Sequence, residues 1–89
     1  MESDEHRLKR LAMRSWRRGT KEMDLVLGPF ADARLAGMGV ADLQVFDLLL
    51  EENDQDLALW VMGGALAPVP FAALIAEISG FARERQWNR

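Results

Sequence analysis

Cysteine is absent from this 89-residue chain, and histidine occurs once, as His6. The first absence excludes a disulfide framework, a thiolate zinc site and a cysteine nucleophile together. It also fits a reducing compartment. The second leaves too little for Ser-His-Asp chemistry. The hydroxyls of Ser3, Ser15, Thr20 and Ser79 share a single histidine, which lies among charges near the N-terminus, where side chains are solvated. No catalytic residue and no metal site is therefore assigned. No long uncharged apolar run occurs, so nothing in the chain is expected to span a membrane. The opening residues, Met1-Glu2-Ser3-Asp4-Glu5, are too acidic for a signal or transit peptide. The sequence is accordingly expected to be a mature protein of a bacterial cytoplasm. No stretch alternates with period two and nothing repeats internally, which argues against half-buried strands and solenoids.

What is present is a chain 49% hydrophobic by residue count, short enough to form one domain around one core. Residues 1–89 are read as that single domain, with 1–4 and 86–89 as frayed tails. Its apolar residues recur at helical spacing. Leu8, Leu11, Ala12 and Ser15 form one stripe of a helix over 5–18, with Gly19 as its stop and Arg17 and Arg18 in its last turn. Met23, Val26, Leu27, Phe30 and Ala31 keep one phase through a second helix, 20–35. Pro29 lies inside that pattern, and the unbroken phase across it predicts a kink rather than a break; a fresh start, with Gly28 at the cap and Pro29 at N1, is the alternative. Gly37 and Gly39 mark the turn into a third helix, 41–53, with Leu43, Phe46, Leu49 and Leu50 inward and Asp42, Gln44, Asp47, Glu51 and Glu52 outward. Asp54 is the expected N-cap of a fourth helix that Gly63-Gly64 ends. A loop with Pro68 and Pro70 leads to a last helix, 70–85, carrying Phe71, Leu74, Ile75, Ile78 and Ala82. The expected fold is all-α, a bundle of about five short helices.

The net charge is only −3, but the charges are segregated. Arg7, Lys9, Arg10, Arg14, Arg17, Arg18 and Lys21 follow one another with no acid between Glu5 and Glu22. Asp42, Asp47, Glu51, Glu52, Asp54 and Asp56 have no base among them. Such faces are either solvated or matched to a partner. At ~100° per residue, Arg7, Arg10, Arg14 and Arg17 share the side of the first helix opposite its apolar stripe. On the second helix Glu22, Leu25 and Pro29 form an outward strip, and an exposed leucine beside charges is a candidate contact.

The stretch Arg18-Gly19-Thr20-Lys21-Glu22, followed by Asp24-Leu25, has the form Arg-Gly-x-x-Glu-x-Asp-Leu. It resembles the signature of the SdhE family of succinate dehydrogenase assembly factors. The setting makes the match specific: a basic helix precedes it, and Phe30 follows at the family's spacing. Leu49-Leu50-Glu51 and then Asp54-x-Asp56-Leu57-x-x-Trp60 resemble the family's second signature. The resemblance covers about residues 7–62; Trp16, where members often have a smaller residue, and the flexible Gly63-Gly64 exit depart from it. It implies a non-enzymatic chaperone that binds the flavoprotein subunit of succinate dehydrogenase, and also of fumarate reductase. It further implies that covalent attachment of FAD to a histidine of that partner is promoted without the factor holding FAD tightly itself. The flavin and the partner then supply the chemistry, and the factor holds a mobile partner in the productive geometry.

The residues expected at the partner surface are Arg18, Gly19, Glu22, Asp24 and Leu25, with Arg14 and Arg17 beside them. Gly19 permits a sharp exit and close approach of a partner backbone. Arg18 offers a planar fork of donors to carboxylates or carbonyls. Glu22 sits near a helix start, where the dipole favours its charge. Set against this, an intramolecular Arg18–Glu22 pair would merely tie two helices together, and the alternative roles for Asp24 are a cap or an internal partner. Two functions from other classes stay open. The arginine stripe suggests nucleic-acid binding, opposed by the acidic overall charge and the lack of an aromatic platform. Leu25 and Trp16 suggest a homo-oligomeric helical adaptor.

Overall fold

A computed structural model of the chain describes residues 2–87, and side chains through residue 85. Among these residues the elements are helices α1 (Asp4–Trp16), α2 (Lys21–Arg34), α3 (Val40–Leu49), α4 (Asp54–Met62) and α5 (Val69–Trp87). A single 3₁₀ turn, Leu35–Gly37, follows α2. No strand is formed among the described residues, and no helix is long and apolar enough to cross a membrane.

The starts of α1, α2 and α4 are fixed by side-chain caps that the sequence supplies, whereas α3 begins at Gly39 without one. Ser3 Oγ accepts from the His6 amide at 3.1 Å, with Asp4 and Glu5 in the first turn. Thr20 Oγ1 does the same for Met23 on α2, and Asn53 Oδ1 for Asp56 on α4. Residues 2–4, expected to fray, are thus tied down, with Glu2 also bonded to Arg10 at 2.7 Å. Residues 1, 88 and 89 lie outside the described ones. The cap of α4 corrects the reading of Asp54: Asn53, one residue earlier, takes that position and leaves the Asp54 carboxylate for another partner. Gly63, at φ 82°, ends α4, and the Gly64 amide reaches back to the Leu59 carbonyl at 2.8 Å.

The apolar stripes meet in one core. Phe30 is fully buried at its centre, stacked on Phe46 with ring centroids 6.0 Å apart and edge-on to Phe81 at 5.7 Å. Leu11, Leu27, Leu49, Leu57 and Ile78 close round it, one or more from every helix. Trp60 is only partly buried against this core, tilted over Phe71 at 6.1 Å. Helix α2 runs continuously through Pro29, which leaves the Leu25 carbonyl without its usual i+4 donor.

The exposed-looking Trp16 has a specific seat. Its indole lies on Gly28, where any Cβ would collide with the ring, and its Nε1 donates to Asp32 at 3.1 Å. This contact pins the end of α1 to α2. Gly28→Ala should therefore evict the indole and cost about 1–3 kcal/mol through overpacking. Thermal melts and the indole emission check it; a variant with unchanged melting and unchanged emission would refute the packing role.

Candidate functional site

The segregated charges of the sequence are brought together by the fold. Arg10, Arg14 and Arg18 stand at i, i+4 and i+8 along α1 and its exit, and meet Asp47, Glu51 and Asp54 in ascending order. Arg10 makes a fork on Asp47, with contacts of 3.0 and 2.8 Å. Arg14 reaches Asp47 at 3.3 Å, Glu51 at 3.4 Å and the Leu50 carbonyl at 3.2 Å. Arg18 is the deepest, its side chain 10% exposed beside an Asp54 side chain at 13%. The outward assignment of Asp47 is thereby corrected: it is half-buried and faces α1.

Arg18 uses its whole guanidinium. Nε donates to Asp54 at 2.9 Å, Nη1 to the Leu50 carbonyl at 2.5 Å and Nη2 to the Glu52 carbonyl at 2.6 Å. These two carbonyls lie in the α3–α4 connection, where no helix supplies donors to them. One side chain therefore fixes the loop that joins the two helices. Its own backbone amide donates to Asp24 Oδ1 at 2.6 Å, in place of continuing the ladder of α1. That is why α1 ends at Trp16, two residues before the expected end at Arg18. The Arg18–Glu22 pair weighed from the sequence is not formed, because Gly19 at φ 111° turns the chain between them.

The motif thus splits in two. Arg18, Asp24 and Arg14 are engaged with the protein itself, while Gly19, Glu22, Leu25 and Arg17 are exposed. A Cβ on Gly19 would meet only Asp54 Oδ2, at 3.7 Å, so its outer side is open. Leu25 is 52% exposed. Glu22 lies in the first turn of α2, where the dipole favours its charge. Among the described residues, Arg17 and Lys21 have no ion-pair partner, and no group of His, Asp or Glu is placed to hold a metal.

The Arg10 contact carries a pH signature. The Asp47 carboxyl is held below its ordinary range, first by hydrogen bonding from Arg10, against an opposing effect of burial, and then by the charges of Arg10 and Arg14. A folded state that binds this proton more weakly than the unfolded chain gains stability above the ordinary carboxylate value of about 4. That gain is lost as pH falls through the lower folded value. Melting temperatures stepped from about pH 6 to about pH 2.5 should drop less steeply in Asp47→Asn than in the parent. Parallel curves would refute the contribution.

The chain's sequence is similar to those of known proteins. A family model described as "Flavinator of succinate dehydrogenase" matches residues 9–82, from the basic helix through α5. The chain belongs to this family. Among curated relatives, the mitochondrial succinate dehydrogenase assembly factor 2 of Schizosaccharomyces pombe is 33% identical over 81 residues, covering 89% of this chain and 58% of its own. That of Komagataella phaffii is 37% identical over 70 residues, 78% of this chain and 37% of its own. That of Aspergillus terreus is 47% identical over 51 residues, 57% of this chain and 17% of its own. The chain therefore spans from under a fifth to under three-fifths of these relatives' lengths. The flavinator family is one of assembly factors, not of catalytic enzymes.

These relatives correct one expectation. A bacterial cytoplasmic location was inferred from the acidic opening residues, but the relatives named are mitochondrial proteins of eukaryotes. The structure supplies the physical reason that the inference failed. Asp4 and Glu5 occupy the first turn of α1 and Glu2 pairs with Arg10, so their charge reports on a helix start and not on a compartment.

Proposed function

We propose that this chain binds the flavoprotein subunit of succinate dehydrogenase and promotes covalent attachment of FAD to it. The observation that carries the reading is the division of the motif. Arg18 and Asp24 are held inside and set the shape of the turn, while Gly19, Glu22 and Leu25 are left exposed on its outer side. A bare glycine beside a carboxylate and an apolar side chain admits a close-lying partner backbone. In the proposed division, Gly19, Glu22, Leu25 and Arg17 touch the partner, and Arg14, Arg18 and Asp24 position them. The chain's task is then to hold a mobile part of the flavoprotein where its histidine and the flavin methyl group meet, the flavin and the partner supplying the chemistry. On the resemblance alone, the proposal extends to the flavoprotein of fumarate reductase as a second client.

Capture from native cells on the immobilised chain is the test. Mass spectrometry should identify a succinate dehydrogenase flavoprotein in the eluate, and its absence under mild salt would oppose the reading. The chain is also proposed to act without a resident flavin. Purified alone it should be colourless, and stoichiometric flavin absorbance that survives gel filtration would contradict this.

A further inference from the structure

Beside the motif, α2, α4 and α5 enclose a groove of about 360 Å³. Val26 and Val61 contribute apolar lining, Leu25 and Met62 stand exposed at 52% and 69%, and Arg83 and Arg85 are the charged residues. No acid lines it. Neither arginine has an ion-pair partner among the described residues, whereas Arg10, Arg14 and Arg18 all do. The backbone adds an acceptor. Pro29 cannot donate to the Leu25 carbonyl one turn below it, and Arg85 Nη1 covers that oxygen only at 3.4 Å. A carbonyl held only by one long contact, two cations without ion-pair partners and an apolar lining in one groove match a short peptide that offers an N–H, a carboxylate and an apolar side chain.

We propose that this groove is a second docking site, which takes a short acidic-apolar segment of the flavoprotein partner. The segment's carboxylate pairs with Arg83 and Arg85, its apolar side chain packs on Val26, Val61 and Met62, and its backbone N–H replaces Arg85 on the Leu25 carbonyl. The volume suits one or two side chains and lies near the lower end of the range for small-ligand sites. Leu25 belongs to both the motif surface and the groove, so one partner can engage the two together. The inference rests on the proposed function for the identity of the partner.

The test titrates the full chain against the purified flavoprotein subunit. A chain with Arg83→Glu and Arg85→Glu should bind about ten-fold more weakly or worse, and lose much of its salt dependence. A photo-crosslinking residue at Met62 should join to an acidic stretch of the flavoprotein, which needs no change of charge or fold. Parent-like affinity of the charge-reversed chain, with Glu22→Ala still weakened, would overturn the groove and leave the proposed function standing. Failure of the unaltered chain to bind the flavoprotein would overturn both. A dimer of the chain alone that the charge reversal dissolves would also overturn the assignment, because a second copy would then be the occupant.

Discussion

Arg18→Ala should lower the melting temperature by about 12 °C or more. The substitution leaves an Asp54 carboxylate, 13% exposed, without its counter-charge, and strips the Leu50 and Glu52 carbonyls of their donors. Removing one member of a buried ion pair typically costs about 3–5 kcal/mol, since the remaining charge stays desolvated. At about 4–8 °C per kcal/mol for a domain of this size, that gives the stated drop. The loss is a large part of the ~5–15 kcal/mol available to a small domain. Arg18→Ala combined with Asp54→Ala should melt higher than Arg18→Ala alone, because the stranded carboxylate is gone. Parent-like melting of Arg18→Ala would contradict the internal role and return Arg18 to the set of partner contacts.

Glu22→Ala should do the opposite: bind the flavoprotein about thirty-fold more weakly while melting like the parent. An exposed carboxylate in a first turn contributes only about half a kcal/mol to stability. A desolvated charge contact is worth about 2 kcal/mol or more to binding, and each 1.4 kcal/mol is about ten-fold in affinity. Gly19→Arg should weaken binding at least as far, by blocking the close approach. It is the less clean variant, because φ 111° strains any side chain by about 1–3 kcal/mol. Calorimetric titration beside thermal melts separates the two effects. Loss of binding in proportion to loss of stability would make Glu22 a structural residue.

The contrast between these two residues marks where the sequence stops being legible. Period-3.6 stripes placed all five helices to within a few residues, because each stripe is a property of one segment. Gly19 and Gly63 were readable as stops, and both adopt positive φ. The partner of Arg18 was not readable. Its spacing from Arg14 and Arg10 is visible, and so is the matching spacing of Asp47, Glu51 and Asp54, but which helices lie side by side is a tertiary fact. That the ladder ascends together, Arg10 with Asp47 and Arg18 with Asp54, puts α1 and the α3–α4 stretch in the same direction. The local alternative, Arg18 with Glu22, lost because the turn at Gly19 carries Glu22 onto a different face. Asn53 was overlooked as a cap beside a more acidic neighbour. Trp16 reads in the sequence as an unusual residue and a candidate self-association contact, and its seat on Gly28 depends on two helices meeting.

The same ladder bears on nucleic-acid binding. The arginine stripe that suggested it is partly neutralised from within, with Arg10 and Arg14 both on Asp47. The exposed cations left near the motif, Arg17 and Lys21, flank a carboxylate and a leucine, a mixture suited to a protein surface.

The central claim concerns covalent flavin on the partner. The flavoprotein subunit, prepared without its cofactor, is incubated with FAD in the presence and absence of limiting chain, then denatured and resolved on a gel. In-gel flavin fluorescence should be strong with the parent chain, faint without it, and close to that faint level with Glu22→Ala. Equal fluorescence with and without the parent chain would contradict the account.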